Sequence, residues 1–461
     1  MAALPPYAGL DEIYHVARLV FVAQEGRNPT IDENSIANYL AGSMAGDPAR
    51  MPDFGSVGAR WPEIVKSRRI LIDHDVDRTY VRTNIESQQP RLYYSIVGRA
   101  APAHRTQMSE LRMWRFASVA FALIVVMATA RMGQTFFGPR GIAAAALIVS
   151  LPTWLTLVVR ASNDAFTCAL LAVALAITAS APARAFAIAA EAIVWALALA
   201  AKLYTWPVFV AALVFWRSQR ASKQRIAIVT SACAISVALT IIDLTSRTHN
   251  PLGILAFDQA AQTSAPPAIR IIEMIKITIA SGIWTSGQHW NALTPIGMIL
   301  FAFPVVALCV LRLRRSEALP TLAAIGAFAF AQVVHAAGYI RRARAAGAAL
   351  PAAGKEGWFW YALAPLAVAT IFPATPLPFL ASWLVGWDVI LHEGALFHDF
   401  AGATSPATPS WLFRWGPLHW PFTADLSHVA VGPLVSQMIA LRAIHVVAAV
   451  VLFYDALRRR D

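Results

Sequence analysis

The run Ala192-Ile193-Val194-Trp195-Ala196-Leu197-Ala198-Leu199-Ala200-Ala201-Lys202-Leu203-Tyr204 decides the fold class. It lies inside an apolar stretch from about residue 183 to residue 216. A helix needs ~20 apolar residues to cross a hydrocarbon core. The stretch therefore reads as one membrane span at 183–201 and a weaker one at 203–216. Lys202 stands between them. It is either a lysine that snorkels to the interface or a compact ammonium placed to receive a phosphate oxygen.

The rest of the chain agrees. It has 461 residues, of which 57% are hydrophobic and 14% charged, with mean hydropathy +0.54. Soluble domains carry about 25% charged residues. The composition predicts an all-α polytopic membrane protein whose first partner is the lipid bilayer. The net charge of +12 follows from Lys and Arg retained in cytoplasmic loops, so no nucleic-acid partner is expected. Cys168, Cys233 and Cys309 all lie in apolar runs and read as small core residues.

Further apolar runs predict spans near 113–131, 141–159, 164–180, 225–243, 293–312, 318–340, 358–374, 376–392 and 431–455. That makes eleven in all. Arg217 to Arg225, Arg312 to Arg315 and Arg458 to Arg460 are basic clusters. With eleven spans they fall on one side, the cytoplasmic one, if residues 1–112 lie outside. The expected organisation is a large first external loop at 1–112, with short amphipathic helices at 12–24 and 33–42. Spans follow at 113–243, then an external loop at 244–292. Residues 293–461 form the C-terminal spans, with an external loop near 393–430. Residues 1–30 lack a basic segment followed by an apolar core. An external start without such a signal predicts that one more membrane helix precedes Met1.

Four polar stretches interrupt this pattern. The first is Pro5-Pro6-Tyr7-Ala8-Gly9-Leu10-Asp11-Glu12-Ile13-Tyr14-His15. Asp11, Tyr14, His15 and Arg18 share a helical face. Asp11 and Glu12 either cap that helix and meet its positive end or supply an acid pair for chemistry. The second is Gln88-Gln89-Pro90-Arg91-Leu92-Tyr93-Tyr94, read as an extended turn. Its tyrosine rings are expected half buried at an interface with wet hydroxyls. The third is Arg160-Ala161-Ser162-Asn163-Asp164, where Asn163 is a candidate cap and Asp164 a costly charge near the interface. The fourth is Lys202 in its apolar surroundings. A fifth polar run, Asp73-His74-Asp75-Val76-Asp77, lacks the Gly turn and bidentate Glu of a calcium loop and reads as solvated. No metal site is expected.

In this order the motifs resemble those of the GT-C superfamily of membrane glycosyltransferases, which includes protein O-mannosyltransferases, the aminoarabinose transferases of lipid A and uncharacterised bacterial multi-pass relatives. In that pattern an acidic motif opens the first external loop, as at Asp11-Glu12. A Gln-Pro-Pro-Leu-Tyr-Tyr-type motif closes it; here Arg91 replaces the second proline. A Ser-Asn-Asp motif follows, as at Ser162-Asn163-Asp164, and then a Lys, as at Lys202. The resemblance covers roughly residues 5–205. It implies inverting transfer of a sugar from a polyprenyl-phosphate donor to a lipid, glycan or protein acceptor on the extracytoplasmic face of the inner or plasma membrane. Asp11 is the implied general base, with Glu12 the alternative. His15, Gln89, Tyr93, Arg160, Asn163, Asp164 and Lys202 are the implied substrate-binding residues, with Lys202 first and Arg160 second for the phosphate. No cofactor is required, although some members bind a divalent cation, for which Asp164 is the candidate here. A flippase of lipid-linked sugars and a degenerate, inactive homologue are the alternatives. The first is disfavoured because no internal repeat is found and the polar motifs cluster at span ends.

Overall fold

The structure is a computed structural model. It describes residues 12–30, 85–100, 107–137, 139, 142, 160–180, 184–249, 291–293, 413–415, 447 and 451. Asp11, the expected helix at 33–42, the run Asp73 to Asp77 and the expected spans at 141–159 and from 293 onward lie outside or almost wholly outside these residues.

Seven helices make up most of the described part. They are α1 (Glu12–Glu25), α2 (Leu92–Arg99), α3 (Gln107–Phe137), α4 (Asn163–Ala179), α5 (Ala185–Ala201), α6 (Trp206–Ser218) and α7 (Lys223–Thr248). Short 3-10 turns at Ile85–Gln88 and Leu203–Thr205 precede α2 and α6. A three-residue antiparallel pair, β1 (Asn291–Leu293) with β2 (Phe413–Trp415), completes the set.

Among the described residues, two apolar stretches are long enough to cross a membrane, Leu111–Met132 within α3 and Lys223–Thr248, which is α7. Most of each stays unburied within the protein. Phe116, Leu123 and Met127 of α3 and Ile235, Leu239 and Ile242 of α7 all stand exposed. Rows of bare aliphatic side chains mark a surface made for lipid or for another apolar partner, and they point to membrane association. Helices α4, α5 and α6 are apolar but shorter.

Helix ends follow local chemistry. Gly26 takes a left-handed φ of 68° just past α1, and its N–H bonds the Val22 carbonyl at 3.0 Å. This is the usual glycine stop. Ser222 caps α7 by accepting from the Arg225 N–H at 3.2 Å. Pro207 sits in the first turn of α6, where its missing N–H costs nothing. At Gly98 of α2, an added Cβ would lie 2.9 Å from Val22 Cγ1. The two helices approach too closely there for any side chain.

Hydrogen bonds fix how the bundle runs. Thr178, at the end of α4, bonds Glu191 near the start of α5 at 2.7 Å, so the two are antiparallel. Glu191 also pairs with Arg225 at the start of α7, and Ser236 Oγ bonds the Ala196 carbonyl further along. Thus α5 and α7 run the same way. Trp195, Phe209 and Trp216 meet edge to face between α5 and α6, around small residues such as Ala169, Ala172, Ala198 and Ala212. Small side chains let helices pack closely where no hydrophobic force drives them together.

Several expectations are corrected. The chain breaks at Lys202 as expected, but the second helix starts later than residue 203: Lys202 is extended (φ −157°, ψ 114°), a 3-10 turn follows, and the helix begins only at Trp206. Residues Leu92–Arg99 are helical rather than an extended turn, and Tyr93 and Tyr94 are buried completely. Their hydroxyls are not wet, because α1, α4 and the Glu86 turn cover them.

Candidate functional site

The start of α4, the end of α5 and the end of α7 lie at one end of the bundle. Helices α1 and α2 and the turn at Ile85–Gln88 pack over this end, and Arg247 of α7 reaches them. The described candidate binding residues His15, Gln89, Tyr93, Arg160, Asn163, Asp164 and Lys202 are found here.

Asp164, in the first turn of α4, is 6% exposed and holds two cations. Arg160 donates to its Oδ2 at 2.6 Å, and Lys202 Nζ donates to Oδ1. Lys202 reaches it because α5 stops one residue earlier and the chain extends. Lys202 therefore does not snorkel; it closes an ion triad across 38 positions of sequence. Ser162, not Asn163, takes the cap position, and its side chain makes no capping bond. Asn163 is 1% exposed, and neither atom of its amide has a hydrogen-bond partner. Ser162 Oγ and Gln89 Oε1 are also buried without one. Buried polar atoms are seldom left so.

The second half of the site is a chain of hydrogen bonds. Tyr94 Oη donates to Glu86 Oε2 at 2.7 Å, and His15 Nδ1 lies 2.7 Å from the same Oη and 3.3 Å from Glu86 Oε2. A phenol has one hydrogen. With that hydrogen directed at Glu86, His15 Nδ1–H is the donor, and Nε2 keeps a lone pair. Burial holds the His15 imidazole well below its usual 6.5. Asp164 opposes this shift, while Arg160, Lys202 and Arg18 add to it. His15 is thus neutral, and it lies within electrostatic reach of the Asp164 triad. Burial, and then Glu86, raise the Tyr94 phenol well above 10, so it stays a donor. Tyr93 packs between Tyr94 and Phe166 of α4, with ring centroids 5.0 and 5.7 Å away. It links the two halves.

Two further guanidiniums hold the turn in place. Arg18 lies over the Tyr94 ring, 3.8 Å from its centroid. It donates to the Glu86 and Gln89 carbonyls and to Asn28 Oδ1. Burial, and then Arg247, lower its pKa to about 9, which still leaves it charged at neutral pH. Arg247 donates to the Ser87, Gln89 and Pro29 carbonyls. Arg91, where the expected motif has proline, meets Asp243 of α7 at 3.3 Å.

His15, Gln89, Tyr93, Arg160, Asn163, Asp164 and Lys202 are therefore neighbours in one region. Glu12 opens α1; Asp11 lies outside the described residues. Sequence reading missed Glu86, Asp243 and Arg247. Asp243 and Arg247 carried a signal, an acid and a base one turn apart at the end of an apolar helix. Glu86 carried none. No group of three or more His, Cys, Asp or Glu side chains suited to a metal ion occurs among the described residues.

Comparison with protein-family models, with curated proteins and with solved structures finds no match.

Proposed function

We propose that this chain transfers a sugar from a polyprenyl-phosphate donor to an acceptor on the extracytoplasmic side of a membrane. The observation that carries the reading is the gathering of His15, Tyr93, Arg160, Asn163, Asp164 and Lys202 at one end of an apolar bundle, although they are spread from residue 15 to residue 202. A lipid-linked substrate needs that location. Its tail lies along apolar helices while its polar head meets groups at the helix ends.

The chemistry fits the residues. Lys202 and Arg160 bring positive charge to where a phosphate leaves, which stabilises the developing anion. The unpartnered amide of Asn163 and hydroxyl of Ser162 suit a ligand rich in hydroxyls, which would satisfy them. Asp11 lies four positions before His15 and is the base that takes the acceptor's proton. The acceptor oxygen then bonds the anomeric carbon as the carbon–phosphate-oxygen bond breaks, and the electron pair leaves with the polyprenyl phosphate. Displacement from the opposite face inverts the centre without a covalent enzyme intermediate. In this reading the chain is multi-pass, with eleven spans, and sits in the inner or plasma membrane.

The test is Asp11→Asn in the full chain, with sugar transfer measured from polyprenyl-phosphate donors. Loss of a positioned base costs about 10²–10⁴-fold in rate. Turnover equal to wild type would remove Asp11 from the role. Absence of transfer in the wild type with any such donor would count against the reading itself.

A further inference from the structure

The opposite end of the bundle has a different character. Arg184 precedes α5, Arg217 lies in the last turn of α6, Arg220 in the turn after it, and Lys223 opens α7; all four are exposed. They are brought together from inside. Arg225 donates from Nε and a terminal nitrogen to the two carboxylate oxygens of Glu191, each at 2.7 Å. Thr178 bonds the same carboxylate, and Trp195 Nε1 bonds Thr178 Oγ1 at 3.1 Å. This buried network joins the end of α4 to the starts of α5 and α7. Arg225 also lies over the Trp216 ring at 5.6 Å, which ties in the end of α6. Arg220 takes a left-handed φ of 53° in the α6–α7 turn. Among the described residues Glu191 is the carboxylate at this end. It is fully buried and already paired. None of the four exposed cations has an acidic partner among the described residues.

Below this positive collar the side of the bundle is apolar. Phe186, two residues from Arg184, is 86% exposed. Ile193 of α5 and Ile228, Ile235 and Leu239 of α7 continue the apolar surface away from the collar. The seventeen residues of α5 separate the two ends by ~25 Å, close to the thickness of a hydrocarbon core. A ring of unpaired cations directly above bare aliphatic and aromatic surface complements one kind of molecule. Its head must be anionic and its tail apolar. A water-soluble anion uses only the collar, and a zwitterionic lipid leaves the cations unneutralised.

We infer that this end of the bundle is a binding surface for anionic phospholipid headgroups, in the leaflet away from Asp164 and Lys202. Bound lipid would neutralise Arg184, Arg217, Arg220 and Lys223 and lay its chains against Phe186 and the α7 wall. The inference is independent of sugar transfer; it needs only the placement of these helix ends.

The experiment uses the full chain in neutral detergent. Phosphatidylglycerol or phosphatidylcholine is titrated in, and the thermal unfolding midpoint is followed. Phosphatidylglycerol should raise the midpoint saturably, and phosphatidylcholine should not. Each basic residue replaced by Gln should weaken the apparent affinity for phosphatidylglycerol about fivefold, and added salt should weaken it further. The single variants Arg217→Gln and Lys223→Gln are surface changes with no internal bond to lose, so they read binding rather than folding. Three results would overturn the proposal: equal shifts with the two lipids, variants that titrate as wild type does, or the same shift from inorganic phosphate alone.

Discussion

Asp164 carries the charge balance of the candidate site. It pairs with both Arg160 and Lys202 there, and it is buried. Removing one member of a buried ion cluster leaves uncompensated charge, which costs about 3–5 kcal/mol. Asp164→Asn keeps the shape and deletes the charge, so a drop of that size in unfolding free energy is the expected outcome. A stability within experimental error of wild type would mean that the triad is not formed. His15 makes a second residue-scale prediction. Its folded pKa lies below the unfolded value, so between the two the unfolded chain binds more protons. Stability therefore rises with pH through that window. It should fall as the pH drops below about 6.5 and level off once the folded-state imidazole is itself protonated. His15→Gln should flatten this slope when thermal midpoints are compared across pH; an unchanged slope would assign it to another group.

At the scale of elements, the Glu191–Arg225 pair joins α5 to α7 inside an apolar bundle. Glu191→Gln or Arg225→Gln alone strands a buried charge and should cost about 3–5 kcal/mol. The double substitution removes both charges and should cost less than the sum of the single ones. A thermodynamic cycle reads this as a coupling energy; strict additivity would show that the two side chains do not interact. Some elements were legible in advance. The amphipathic helix expected at 12–24 matches α1 to within one residue at its end. Apolar length gave α3, α4, α5 and α7. Helix α2 was not legible, because Gln-Pro-Arg-Leu-Tyr-Tyr has the composition of an interfacial turn. What makes it a helix is the covering of Tyr93 and Tyr94 by α1 and α4, a tertiary effect. The break at Lys202 was legible, because a lysine between two apolar runs separates the spans expected at 183–201 and 203–216. The 3-10 turn that delays the next helix to Trp206 was not, because Leu203 and Tyr204 continue the apolar run, and the pairing with the distant Asp164 is a tertiary contact. Asn163 resembled a cap, but Ser162 stands in the cap position and the amide of Asn163 goes unused.

At the scale of the molecule, the two ends of the bundle differ in what their charges do. One end buries its charges beneath α1 and α2 and surrounds them with unpartnered polar atoms. The other exposes four cations above an apolar wall. The order of Asp11, Gln89, Asn163-Asp164 and Lys202 along the chain anticipated that most of these would meet. The partners that hold them, Glu86 far along the chain from His15 and Arg247 some 160 positions from Ser87, are set by long-range packing that no local pattern records. The central claim concerns what occupies the buried end. The most direct measurement is a structure of the full chain with a polyprenyl phosphate bound. The account predicts the phosphate beside Lys202 and Arg160, with the lipid tail running along the apolar helices. A structure in which no phosphate lies beside Lys202 and Arg160, or a tail that enters there away from α4 and α5, would contradict it.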